Sequence, residues 1–282
     1  MARALLWMLL LLSPAAFGAD FLVSTEALAT ELKQGKPRLI DAESAADFSR
    51  AHLPGAVNLP YLELEDAEEN AKTGQPIFPQ LGATKFAALG LTRESDVVVY
   101  DGGDGRAASA VWYVLRFLGH EKVRILDGGF RKWLKEGRPL TQETAKPARA
   151  TYVPKPRTDW ALKTADLDPK RQLVLDARSL GEFTGKETGG ARQGGHIPGA
   201  KAFPWAKLTD ATASFRSPAE IRKILVAAGI TPDREIVTYC NPGIGRSTHL
   251  LAALTLAGYD KVKVYPGSWI EWASGPARPI ER

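Results

Sequence analysis

The chain carries one pattern twice, and that repeat limits the fold more than any other feature. "LIDAESAADFSRAHLPGAVNLP" begins at Leu39 and "VLDARSLGEFTGKETGGARQGGHIPGAKAFP" begins at Val174. Each runs from an apolar strand through Asp-Ala into a polar helical segment with an aromatic, then to His-x-Pro-Gly-Ala; the second holds a glycine-rich insertion at 187–194. Further on, "DVVVYDGGDGRAASAVWYVLRFLGHEKVRILDGGFRKW" from Asp96 pairs with "EIVTYCNPGIGRSTHLLAALTLAGYDKVKVYPGSWIEW" from Glu235. Asp101 faces Cys240 and Trp133 faces Trp272, both 139 residues apart (240 − 101 and 272 − 133), so these copies run without net gap. A period of that length means a duplicated domain, because solenoid repeats are far shorter.

Within each copy, short β-branched runs alternate with amphipathic stretches. The runs lie at 38–41, 97–100 and 123–126, then at 173–176, 236–239 and 262–265; the amphipathic stretches include 107–118 and 247–257. This alternation predicts an α/β chain of two tandem domains, each a parallel sheet flanked by helices on both faces. Ligands bind such sheets at the edge where strands end and helices begin. The join falls within 143–160, where three prolines and no apolar period predict a linker. The expected division is a signal peptide at 1–19, domains at 20–145 and 159–282, and a linker at 146–158.

The N-terminus reads Arg3, an apolar run over 4–12, then Ser13-Pro14 and small residues, the layout of a secretory signal cleaved after Gly18 or Ala19. The run is too short for a comfortable membrane span, so an exported, periplasmic protein with no stable span after cleavage is expected. Cys240 is the only cysteine, so no disulfide can form within the chain. A lone thiol kept in an exported protein is either inert and buried or kept for its reactivity. Net charge of +5 mildly favours anionic ligands, but the basic residues are scattered, which argues against a nucleic-acid footprint.

Cys240 ends an apolar strand and opens "CNPGIG", with a helix expected from near Arg246. Gly243 and Gly245 let the backbone curl so that several N–H groups point inward, and the helix N-terminus adds partial positive charge. Such a cradle lowers a thiol pKa and suits an anionic sulfur. No metal or other cofactor is expected, because His52, His120, His196 and His249 are dispersed and form no ligand cluster. His52 and His196 occur in both copies and are read as structural; Trp133 and Trp272 are read as core.

These segments resemble the rhodanese family, and in particular its tandem-domain sulfurtransferases, over nearly all of 39–272. The resemblance rests on Asp-Ala-Arg-Ser at 176–179, both His-x-Pro-Gly-Ala segments, Cys-x-x-Gly at 240–243, Asp-Gly-Gly-Phe at 127–130 and Gly-Ser-Trp-Ile-Glu-Trp at 267–272. It implies an inactive N-terminal domain, with Asp101 in the cysteine's place, and a catalytic C-terminal domain. Cys240 would take a sulfur atom from a small anionic donor and pass it to cyanide, a thiol or a protein acceptor. The resemblance gives Arg178 a substrate-anion role; its counterpart, Glu43, has no such charge. Asn241, Gly243, Ile244, Gly245 and Arg246 complete the expected substrate-binding set.

Two other readings use the same loop. Cys240 to Arg246 also spells the C-x5-R of a cysteine phosphatase or arsenate-type enzyme, although the gapless pairing with the first copy argues against an added residue. A non-catalytic sulfur carrier needs only a loadable thiol. Between donors, Asn241-Pro242 matches neither the basic pair of thiosulfate enzymes nor the small pair of mercaptopyruvate enzymes. "QPIFPQLG" lacks the histidine common in the latter. Export favours thiosulfate, since mercaptopyruvate is made inside cells.

Overall fold

The computed structural model describes residues 21–275 and 278–282. The expected signal peptide lies outside them. The first half contains β1 (Leu22–Val23), α1 (Thr25–Leu32), β2 (Arg38–Asp41), α2 (Ala45–Arg50), β3 (Ala56–Asn58), α3 (Ala67–Thr73), α4 (Pro79–Ala88), β4 (Val97–Tyr100), α5 (Arg106–Phe117), β5 (Val123–Leu126) and α6 (Gly129–Lys135). The second contains β6 (Leu173–Asp176), α7 (Leu180–Phe183), β7 (Lys201–Ala202), α8 (Pro218–Ala227), β8 (Ile236–Tyr239), α9 (Arg246–Leu256), β9 (Val262–Val264) and α10 (Ser268–Ser274). The sheets run β1-β5-β4-β2-β3 and β7-β6-β8-β9, parallel throughout. In the second half the counterpart of β1 shrinks to a parallel bridge between Ala161 and Val264.

Strand periodicity explains how these sheets are covered. Val97 and Val99 of β4 enter an inner cluster, while Val98 and Tyr100 enter an outer one against α1, α2 and α6. Successive side chains of a strand point to opposite faces, so a strand buried on both sides reads as one continuous apolar run. In the second half Ile236 faces inward, and Val237 and Tyr239 pack outward on Trp269 of α10. The inner cluster is shared: α5 and α9 lie against each other between the two sheets, and both are buried nearly all round. The linker follows the first half, with Lys155 and Arg157 donating to the carbonyls of Leu118 and Phe117 at 2.8 and 2.7 Å.

The repeat extends to side-chain roles. His52 Nδ1 pairs with the Phe48 carbonyl at 2.8 Å and stacks on its ring; His196 Nδ1 does the same with Phe183 at 2.9 Å. Both are structural, as read from sequence. The tryptophan pair differs. Trp133 is buried, but Trp272 is only half-buried with Arg278 over its ring, and Trp269 fills the core. The residue matching Phe130 took the larger ring there, leaving Trp272 at the rim.

Candidate active site

Asp41 and Tyr100 end side by side in the first sheet, and Asp176 and Tyr239 end side by side in the second, because every pairing is parallel. The loops leaving those ends carry Glu43 and Asp101 in the first half, and Arg178 and Cys240 in the second. A cavity of about 1580 Å³ opens at the opposite edge, where strands begin, lined by residues such as Trp112, Trp160, Val123 and Val262; no residue of 240–246 lines it. The chemistry therefore has to be sought at the loop itself.

The cysteine-free loop shows what this backbone does. Asp101 turns its carboxylate into its own loop, accepting from the N–H groups of Gly103 (2.9 Å), Gly105 (3.2 Å) and Ala108 (3.0 Å). Glu43 accepts from Gly102 N–H at 2.9 Å. Burial pushes the Asp101 pKa up to about 6, with the donated N–H groups pulling against it, so the group is an anion at neutral pH. A curled loop at a helix start holds an anion on backbone donors, and in this half the protein's own carboxylates fill it.

In the second half the anion's place is taken by Cys240, fully buried. Its Sγ lies 3.4 Å from Ser247 Oγ and 3.5 Å from the Ile244 carbonyl, and its N–H donates to Ser268 Oγ at 3.1 Å. Gly243 sits at φ 104°, and a Cβ there would overlap the Pro266 carbonyl. Gly245, at φ 97°, donates to Thr248 Oγ1 at 3.0 Å and closes the turn into α9. The Asn241 side chain donates to the Gly189 carbonyl, so the insertion peculiar to the second copy reaches over to the loop. Asn241, Gly243, Ile244, Gly245 and Arg246 thus share one turn with Cys240.

Replacing Gly243 by alanine is expected to destabilise the protein by about 1–3 kcal/mol through strain and overpacking. It should also cost sulfur transfer at least tenfold by deforming the cradle. Unfolding midpoint and kcat/KM measured together check this; wild-type values for both would contradict the geometry.

Two features depart from the sequence reading. Six residues, 240–245, precede α9, against five, 101–105, before α5; α9 is one residue shorter, 11 against 12, and restores the register. The gapless pairing concealed a longer loop. Second, Arg178 is engaged mainly by the core, with its Nη1 left buried and without a hydrogen-bond partner. Its side chain is 0 % exposed, with Nε and Nη2 on Asp176 at 3.0 and 2.6 Å and Nη2 also on the Gly195 carbonyl at 2.6 Å. Its guanidinium lies over Trp269 and Tyr239. Burial opposes its charge, but the Asp176 carboxylate outweighs burial and holds its pKa above the usual value.

The guanidinium nearer the thiol is that of Arg246, paired through Nη1 and Nη2 with Glu182 at 2.5 and 3.0 Å. Burial works against the charge; Glu182 and the neighbouring Cys240 more than offset it, raising the pKa. Glu182 is held by a capping box with Ser179, and its own pKa is lowered because Arg246 outweighs burial. Sequence reasoning passed over Glu182 and Ser268, and named Ser247 only as a letter after Arg246 in the phosphatase-like spacing. The Ser-x-x-Glu spacing at 179–182 was a signal for the first; the others come together only in three dimensions. It also passed over the first half's contribution: Tyr61 lies against Gly245, and Tyr61 OH accepts from Arg106 at 2.6 Å. Among the described residues no His, Cys, Asp and Glu are grouped to hold a metal, and no helix is long and apolar enough to cross a membrane.

The family model described as "Rhodanese-like domain" matches residues 24–136 and 159–275. The thiosulfate sulfurtransferase of Azotobacter vinelandii is 36% identical over 253 residues, 86% of this chain and 90% of that one. The sulfur carrier protein TtuD of Thermus thermophilus is 33% identical over 282 aligned positions, covering 93% and 97%. The crystal structure of SseA from Escherichia coli, described with the "Rhodanese" fold and mechanism of 3-mercaptopyruvate sulfotransferases, superposes with a TM-score of 0.77 at 26% identity, over 88% of this chain and 98% of that one. With both halves matched and a thiol loop in only one, this chain belongs to the rhodanese family, as a tandem-domain sulfurtransferase.

Proposed function

We propose that the protein moves a sulfane sulfur from thiosulfate to cyanide or a thiol through a persulfide on Cys240. The observation that carries this reading is the pair of loops: one holds a carboxylate on its backbone donors, and the other presents a thiol in the same place. The Cys240 thiolate attacks the outer sulfur of thiosulfate. The S–S bond breaks, and its electron pair leaves with sulfite. The acceptor then attacks the terminal sulfur of the persulfide, and the bonding pair returns to Cys240 as thiolate. Splitting the transfer through a covalent intermediate is ordinary nucleophilic catalysis.

In the thiol form, Ser247 donates to the Gly243 carbonyl at 2.7 Å while facing Sγ. Rotation of that hydroxyl lets it donate to the thiolate instead. Cys240 is fully buried, with Tyr61 against Gly245 and the 187–194 insertion against Asn241 on the same loop, so donor entry needs some opening at the loop. Arg246 and Arg106 supply positive charge beside the loop, which supports an anionic donor where Asn241-Pro242 supplies none. Glu182 holds Arg246 through both Nη atoms, so clamping of phosphate oxygens by this arginine would require that pair to break, whereas thiosulfate needs from it only nearby charge.

Export to the periplasm is part of the proposal; sequencing the mature N-terminus tests it, and Met1 there would contradict it. For the donor, kcat/KM with thiosulfate and cyanide should exceed that with 3-mercaptopyruvate by about tenfold or more, a difference of about 1.4 kcal/mol. Thiocyanate formation is the readout, and the reverse order would reassign the donor. The likeness to a named sulfur carrier favours one second reading, in which Cys240 is loaded and read by a partner protein. Stoichiometric loading without turnover on small acceptors would establish it.

A further inference from the structure

The first half places a carboxyl at the Cys240 loop. Glu65 follows the 3-10 helix Tyr61–Leu64, and the Ile244 backbone N–H lies against its carboxyl. Its Oε1 is buried with no hydrogen-bond partner. The loop it meets is short of donors. Pro242 has no N–H, and the Gly245 N–H is engaged by Thr248 Oγ1. An ionised carboxylate on Ile244 would set a negative charge against an incoming anion and offer it no donor. A neutral carboxyl instead accepts from Ile244 through one oxygen and offers an O–H through the other.

We propose that Glu65, contributed by the N-terminal half, is a donor-binding residue of the C-terminal site: its neutral carboxyl, seated at the Ile244 N–H, gives through Oε1 a hydrogen bond to the anionic end of the sulfur donor, and its ionisation expels that anion. The inference rests on the sulfurtransferase reading. Burial pushes the Glu65 pKa up to about 8, with the Ile244 N–H pulling against it, so the proton is present at neutral pH and leaves to solvent above about 8. The titratable groups around it fit this. Tyr61 lies within electrostatic reach of Glu65, Cys240 and Arg106, and burial raises its own pKa, so it stays neutral through the same range. Arg106 is held on Tyr61 OH, with Asp104 3.8 Å away, and does not titrate there.

The test separates binding from chemistry. Thiosulfate and 3-mercaptopyruvate are titrated calorimetrically into Cys240→Ser and into Cys240→Ser/Glu65→Gln, from pH 6 to 9.5. In the single variant, affinity should fall about tenfold per pH unit above about pH 8, as loss of one proton requires. The glutamine variant keeps an acceptor for Ile244 and a donor for the anion but cannot ionise, so its affinity should stay flat and near the neutral-pH value. An unchanged alkaline loss in the double variant would overturn the proposal. Infrared difference spectra between wild type and Glu65→Gln provide a readout free of donor. A protonated-carboxyl band that disappears near pH 8 supports the proposal, and an ionised Glu65 at pH 7 overturns it even if the protein transfers sulfur normally. Failure of both donors to bind, with the band present, overturns the anion-holding role together with the donor assignment.

Discussion

Cys240→Ser should lower sulfur transfer by at least about three orders of magnitude, a loss of about 4 kcal/mol of transition-state stabilisation. A serine hydroxyl is far harder to ionise than a thiol, and it forms no persulfide, so the covalent route closes while the cradle remains. The fold should tolerate the change within about 1 kcal/mol, because the hydroxyl can reach the same Ile244 carbonyl and Ser247 hydroxyl that face Sγ. Thiocyanate production and the unfolding midpoint decide the matter. Activity retained within tenfold would place the reaction elsewhere; activity lost together with the fold would mean that the thiol is structural.

Arg178→Met should act the other way, mainly on stability. The change leaves the Asp176 carboxylate in the core with the Tyr239 hydroxyl (2.5 Å) and the residue-178 backbone N–H (2.9 Å) for company. Removing one partner of a buried ion pair costs about 3–5 kcal/mol, since the remaining charge is left uncompensated. Urea denaturation of the purified variant measures this. Asp176→Asn/Arg178→Met should regain part of the loss, because the amide needs no countercharge. A variant of wild-type stability with a raised KM for thiosulfate would return Arg178 to the donor-binding role that its motif suggested.

The repeat made most of the architecture legible. Strands 38–41, 97–100, 123–126, 173–176 and 236–239 coincide with β2, β4, β5, β6 and β8, because buried parallel strands have continuous apolar runs that local sequence displays. The helices α1, α3, α4 and α8 escaped notice: each lies outside the strongest repeat pairing, and local cues such as the capping box at Ser217 and Glu220 are short-range signals. At the site, sequence located the loop but could not rank the arginines. Arg178 and Arg246 look equally able to bind an anion in a string of letters. Only packing shows that one neutralises Asp176 in the core while the other stands beside the thiol on Glu182. The contributions of Tyr61, Glu65 and Arg106 depend on how two halves dock, which no local pattern encodes.

The central claim is that a sulfur atom resides on Cys240 between two half-reactions. Intact-mass measurement of the mature protein, after a stoichiometric pulse of thiosulfate and removal of sulfite, tests it most directly. The account predicts a gain of one sulfur atom, mapped to the peptide carrying Cys240, absent in Cys240→Ser and discharged by cyanide with release of one equivalent of thiocyanate. An unchanged mass with thiosulfate and with 3-mercaptopyruvate alike, or a sulfur atom that survives in Cys240→Ser, would contradict it.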